Sequence, residues 1–171
     1  MSDFPLPESA FPSGSFPFLR AVAVMRGSPA YPTVHGTVRF LQLPGGVIVM
    51  ADIDGLPRTP AGFFGFHVHT GNCNPGIVPP GPGQDPFPAA GGHYNPGNMP
   101  HPRHAGDFPP LLSTSQGSAR MNFVTDRFTL REIIGRAVII HLQPDDLTTQ
   151  PAGNSGPKIA CGMVAADTGA Y

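Results

Sequence analysis

Residues 90–107 read AGGHYNPGNMPHPRHAGD, and this stretch organises the chain. It carries His93, His101, His104 and Asp107 in a segment too rich in Gly and Pro for a helix or a long strand. Spacings of eight, three and three residues let a folded loop wrap these side chains around one ion. His67 and His69 lie upstream and His141 downstream, so six of the seven histidines fall in three clusters and only His35 stands apart. Imidazole and carboxylate in one site suit zinc or copper. Polar loops collect histidines by chance, but chance does not account for six clustered histidines in a chain with only 12% charged residues.

On both sides of this loop the chain reads as short strands. The candidates are 19–25, 34–43, 47–53, 64–69, 118–125, 134–142 and 159–165, with 34–43 and 47–53 forming a hairpin around PGG. A long loop from 70 runs into the histidine-rich segment and ends near residue 110, and 143–158 forms a second long loop. Residues 1–18 read as an extended, proline-punctuated arm and 19–171 as one domain. Seven or eight short strands with two long loops predict an antiparallel sandwich or barrel. In GFFGFHVH (62–69), strand alternation puts Phe64, Phe66 and Val68 toward a core and Gly65, His67 and His69 on the other face. Two imidazoles at i and i+2 on a rigid strand can hold one metal from one side. His141 ends a strand on which Ala137 and Ile139 share its face and Val138, Ile140 and Leu142 point the other way.

A length of 171 residues fits a single domain with a sizeable core. With 22 Gly and 23 Pro a helical bundle is excluded, while 40% apolar residues gathered in strand-length runs argue against disorder. A net charge of −1 and the lack of a Lys/Arg-rich run leave no nucleic-acid reader. Nothing approaches a membrane span. The first residues, MSDFPLPESAFPSGSFPF, have acidic and proline residues where a signal peptide needs a basic region and an apolar run, although a processed chain would look the same. Cys73 and Cys161 allow a single internal bridge, which would point toward an oxidising compartment.

FHVH, AGGHYNP, RHAGD, IIHLQPDDL and GNSGPKIACG stand in the order found in the copper-zinc superoxide dismutases, and the hairpin ending in DIDGLP is also similar. The chain resembles that family over about residues 62–164, with a Pro/Gly-rich loop whose length is like that of the bacterial branch. The resemblance implies an all-β, eight-stranded Greek-key flattened β-barrel, an immunoglobulin-like sandwich with two long functional loops. It implies copper at His67, His69, His93 and His141, and zinc at His93, His101, His104 and Asp107, with His93 shared. Asp145, rather than Asp146, is implied as the outer carboxylate that steadies one histidine of each site, and Cys73 with Cys161 as a disulfide. The implied activity is disproportionation of superoxide by alternating reduction and oxidation of copper, with His93 as proton carrier and zinc structural. The bridge and the resemblance together favour a secreted or cell-envelope location; a homodimer is compatible with the resemblance, but dimer contacts differ in the bacterial branch and no dimer mode is carried over.

Two departures stand out. Lys158 occupies the place where the family has an arginine beside the copper channel, and lysine keeps the charge while losing the planar fork. Ala152 stands where many relatives have a threonine that narrows the channel. The alternative reading is therefore a non-enzymatic copper- and zinc-binding protein of the same fold. A purely structural β-domain would leave the outer carboxylate unexplained.

Overall fold

Pro44 and Gly45 turn the chain between β2 (His35–Leu43) and β3 (Gly46–Asp54), which pair antiparallel from Leu43↔Gly46 to His35↔Asp54. Alternation along both strands sends Val38 and Phe40, and Val47, Val49, Ala51 and Ile53, into the interior. Gly46, at φ +154°, opens β3 where a Cβ would lie 2.6 Å from the Thr125 carbonyl oxygen, so the neighbouring strand can approach only a glycine. The computed structural model describes residues 19–74 and 84–167. The arm expected at 1–18 lies outside the described residues.

The remaining elements are β1 (Arg20–Gly27), β4 (Phe63–Phe64), β5 (Phe66–His69), a 3-10 turn (Pro88–Ala90), β6 (Leu111–Leu112), β7 (Ala119–Thr125), a one-turn helix α1 (Leu130–Ile133), β8 (Ala137–His141) and β9 (Lys158–Ala166). Seven strands form one curled antiparallel sheet in the order β5-β8-β9-β1-β2-β3-β7. β4 and β6 pair in a second small sheet, with β6 against β7, and so draw the two ends of the large sheet together. The result is the expected all-β Greek-key barrel. Phe40, Phe64, Phe66, Met25, Leu111 and Ile140 fill its interior. A second cluster of Phe87, Ala90, Ala137, Ile139 and Cys161 lies on the outer face of β8.

Three details differ from the sequence reading. The strand expected at 64–69 breaks at Gly65 into β4 and β5, which belong to different sheets. A Cβ at Gly65 would lie 2.7 Å from the Ser155 side chain, so the break is where the second long loop presses on the strand. The strand expected from 134 starts at Ala137, because Gly135 at φ +83° turns the chain out of α1. The short β6 brings the described strands to nine.

Both faces of β5 are covered, and all four of its residues are buried. Phe66 and Val68 face the core, and the histidine-rich loop lies along the strand's free edge. Tyr94 N–H donates to the Val68 carbonyl at 2.8 Å, Val68 N–H to Gly106 at 2.9 Å and Thr70 N–H to Gly92 at 2.9 Å. The sheet edge thus ends in the loop that carries the candidate ligands, which also shields it from pairing with another chain. Among the described residues no helix is long and apolar enough to cross a membrane.

Candidate metal centre

The register of β5 on β8 places His67 opposite Ile139 and His69 opposite Ala137, and β8 ends at His141. The isolated bridges His69↔His93 and His67↔Asp107 bring the loop residues to the same strand. Two groups result, each with potential ligand atoms within 4.8 Å of one another: His67, His69, His93 and His141, and His93, His101, His104 and Asp107. All seven residues are buried. Only His93 belongs to both groups. His35 is exposed at the start of β2, bonded to the Thr33 carbonyl and outside the site.

Hydrogen bonds to groups outside the two ligand sets fix which nitrogen is free in His67, His69, His101 and His141. A carbonyl or ionised carboxylate can only accept, so the imidazole nitrogen facing it must donate and the other nitrogen keeps its lone pair. His69 Nδ1 donates to the Gly91 carbonyl at 2.8 Å, and His141 Nδ1 donates to Gly156 at 2.9 Å. Their Nε2 atoms then face each other as lone pairs 3.2 Å apart. His67 Nε2 donates to Asp145 Oδ2 at 2.7 Å and His101 Nε2 to Asp145 Oδ1 at 2.9 Å. One carboxylate therefore orients a ring in each group.

His67 Nδ1, His93 Nε2, His101 Nδ1 and His104 Nδ1 are buried without a hydrogen-bond partner in the protein. His101 Nδ1 lies 3.0 Å from Asp107 Oδ2, but two acceptors at that distance repel each other unless a cation is shared. Buried lone pairs left this way are costly. Converging imidazole nitrogens with one carboxylate are the donor set that zinc and copper prefer, so these residues fit both metals.

Burial pushes the imidazoles away from their charged form. His67 is brought down to about 4, burial outweighing the nearby Asp145 carboxylate. His141 falls to about 3 through burial and the neighbouring His67, and His69 lies well below the ordinary histidine value through burial and His141. Burial also lowers His104. For Asp145, burial acts upward, but the bonds from His67, the Leu147 N–H and His101 outweigh it and bring the carboxyl to about 2. Asp107 is likewise lowered, burial being outweighed by the bond from His93 and the surrounding histidines. His67, His69, His104 and His141 are therefore held neutral near neutral pH beside two ionised carboxylates, with lone pairs open to cations.

Cys73 and Cys161 form a disulfide with Cα atoms 5.7 Å apart, tying the first long loop to β9. Asp146 accepts from the backbone and hydroxyl groups of Thr148 and Thr149 and touches neither histidine group. Ala152, part-buried in the second loop, accepts the Ser155 hydroxyl at its carbonyl. Lys158 stands opposite His141 at a β-bulge, with its ammonium held by the Asp85 carboxylate and the Phe87 carbonyl.

Three further residues shape the site and were not found from sequence. Gln150 holds the backbone of His101 from both sides, accepting its N–H at 2.9 Å and donating to its carbonyl at 2.7 Å. Arg127 Nη1 donates to the carbonyls of Pro102 and His104 at 3.0 and 3.3 Å, with Asp107 at 3.5 Å. At Gly153, with φ +64°, a Cβ would lie 1.9 Å from Asp145 Oδ1 and 2.7 Å from His101 Nε2. The only signal for the last was a GN pair within the second loop.

A Greek-key barrel carrying two buried ligand groups joined by one histidine defines a protein built for a pair of neighbouring metals. The family model for copper/zinc superoxide dismutase matches residues 34–164. A Cu-Zn superoxide dismutase of Deinococcus radiodurans is 41% identical over 144 residues, covering 76% of this chain and 76% of the relative. Superoxide dismutase [Cu-Zn] 3 of Arabidopsis thaliana is 34% identical over 163 residues, covering 85% of this chain and 90% of that one. The human copper chaperone for superoxide dismutase is 32% identical over 177 residues, covering 93% of this chain but 58% of the chaperone. The chain belongs to the copper/zinc superoxide dismutase family, in its bacterial branch.

Proposed function

We propose that this chain disproportionates superoxide, two anions and two protons giving one dioxygen and one hydrogen peroxide. The observation that carries the reading is His93, whose Nδ1 lies 2.7 Å from Asp107 in one group while its Nε2 is buried without a protein partner in the other. His67 Nδ1 and the Nε2 atoms of His69, His93 and His141 would hold copper. The Nδ1 atoms of His93, His101 and His104, with Asp107, would hold zinc. When bound, copper supplies the one-electron redox chemistry and zinc, which has none, supplies charge and shape. Asp145 fixes the tautomers of His67 and His101 and hence the direction of their free nitrogens. His93 Nε2 is the atom at which a proton can be taken up and returned between the two half-reactions. Lys158 supplies positive charge beside His141 for an incoming anion.

The disulfide supports a secreted or cell-envelope location, since such bonds persist in oxidising compartments. A homodimer is the accompanying expectation, checked by sedimentation. The reading is tested by following superoxide decay after pulse radiolysis on protein whose copper and zinc have both been measured. Decay far above that of buffer supports it. Fully copper-loaded protein with no such decay overturns it and favours the metal-binding alternative, the role that the chaperone relative's name describes.

A further inference from the structure

Lys158 is the only lysine among 171 residues, every other cationic side chain being arginine. It is also tied down. Its ammonium donates to Asp85 Oδ2 and, at 3.1 Å, to the Phe87 carbonyl. Asp85 Oδ1 in turn accepts the Phe87 N–H at 2.9 Å, so the three residues close a ring of hydrogen bonds. The ring is anchored. The Phe87 side chain is buried against Ala137, Ile139 and Cys161, and the chain just beyond returns to Gly71 and Asn72 through two backbone bonds of 2.9 and 3.0 Å. The lysine side chain is only 12% exposed, against 43% for Asp85.

We propose that Asp85 is a positioning residue that sets the charge an anion meets at the mouth of the histidine site. This deepens the superoxide reading and rests on it for the anion's identity. A free ammonium attracts an anion over a distance that falls as 1/r, whereas an ammonium paired with a carboxylate acts as a dipole whose pull falls faster. Asp85 therefore holds Lys158 in one place beside His141 and cancels much of its reach. The lysine forgoes the several donors by which an arginine could hold backbone carbonyls and an anion together. Asp85 takes over the holding, at the cost of attraction.

The test needs no turnover. Asparagine at position 85 keeps an acceptor for the Phe87 N–H but removes the negative charge. Azide, a small monovalent anion, is titrated against the copper- and zinc-loaded protein and read from the visible absorption of copper. Asp85→Asn should bind azide about threefold more tightly or better at low ionic strength, with the gain vanishing in high salt. Independently, acetic anhydride followed by peptide mass spectrometry reads the single lysine, which should be modified several-fold faster in Asp85→Asn and at the wild-type rate in Asp85→Glu. Asp85→Ser, which can also accept the Phe87 N–H, replaces Asp85→Asn if that variant does not fold. Azide affinity or lysine reactivity unchanged by removing the Asp85 charge overturns the proposal, whatever the protein does with superoxide. Absence of dismutation with both readouts shifted would overturn only the enzymatic reading.

Discussion

Asp145 accepts from two imidazoles and a backbone N–H, and its value to the site lies in the nitrogens it leaves free. Replacing it with asparagine puts an amide where one ring or both must find an acceptor, so His67 and His101 lose their fixed tautomers together. Asp145→Asn should lower affinity for both metals, by about 10–100-fold for the zinc site, measured by competition with a chelator. Asp146→Asn changes only a turn bonded to Thr148 and Thr149 and should leave both affinities within a factor of about two. Equal losses in the two variants would mean that loop folding, and not ring orientation, controls affinity. Gly153→Ala should copy Asp145→Asn, since its Cβ would occupy the carboxylate's place. The candidate ligands were legible in the sequence because imidazoles are few and cluster. Asp85 was not: it lies 73 residues from Lys158, in a Pro/Gly-rich run without periodicity, and only the fold makes them neighbours.

At the scale of elements, the loop at 91–107 has almost no regular structure of its own and is held from outside. β5 zips its two ends, Gln150 grips His101, and Arg127 gathers the carbonyls around His104 and Asp107. Arg127→Ala should therefore lower zinc affinity and the melting temperature of zinc-loaded protein by several degrees, because two buried-side carbonyls lose a charged donor. Visible absorption of bound copper should change little, since His67, His69 and His141 stand on β5 and β8. An altered copper band with zinc retained would sink this division of labour. Reduction of Cys73–Cys161 acts on the other loop. Closing 88 residues of separation contributes about 4.6 kcal/mol in the chain-entropy account, so the reduced protein should unfold at clearly lower denaturant. The barrel strands were legible from alternation, with ends displaced by three residues at most. The helix α1 lies in a stretch that the strand pattern leaves unassigned, although Thr129 and Glu132 have the spacing of a helix start, and Glu132 does accept the Thr129 N–H at 2.6 Å. The break at Gly65 had no local signal, because its cause is Ser155 on a distant loop.

For the molecule as a whole, a barrel that buries neutral histidines ties its stability to pH even before metal is considered. In the unfolded chain these rings titrate near ~6.5. In the folded chain His67 is held down to about 4 and His141 to about 3, with His69 also well below its ordinary value. Above about 6.5 the rings are neutral in both states and the full stability is present. As pH falls below that value the unfolded chain takes up protons that the folded chain refuses, so stability declines until the folded pKa values are passed. Asp145 acts in the same direction in a lower window, between its ordinary value of 3.8 and about 2. Metal-free, disulfide-bonded protein should thus lose stability on the order of a few kcal/mol between about pH 7 and pH 4, read from urea midpoints at each pH. Loaded protein should start higher, because ligation holds the same nitrogens unprotonated, and should fall more steeply once the metal leaves. Zinc release, followed by an indicator dye, should coincide with that steep limb. A flat metal-free curve over this range would mean that the histidines open to solvent when no cation holds them. The neutral, buried site would then be made by the metals instead of being ready for them.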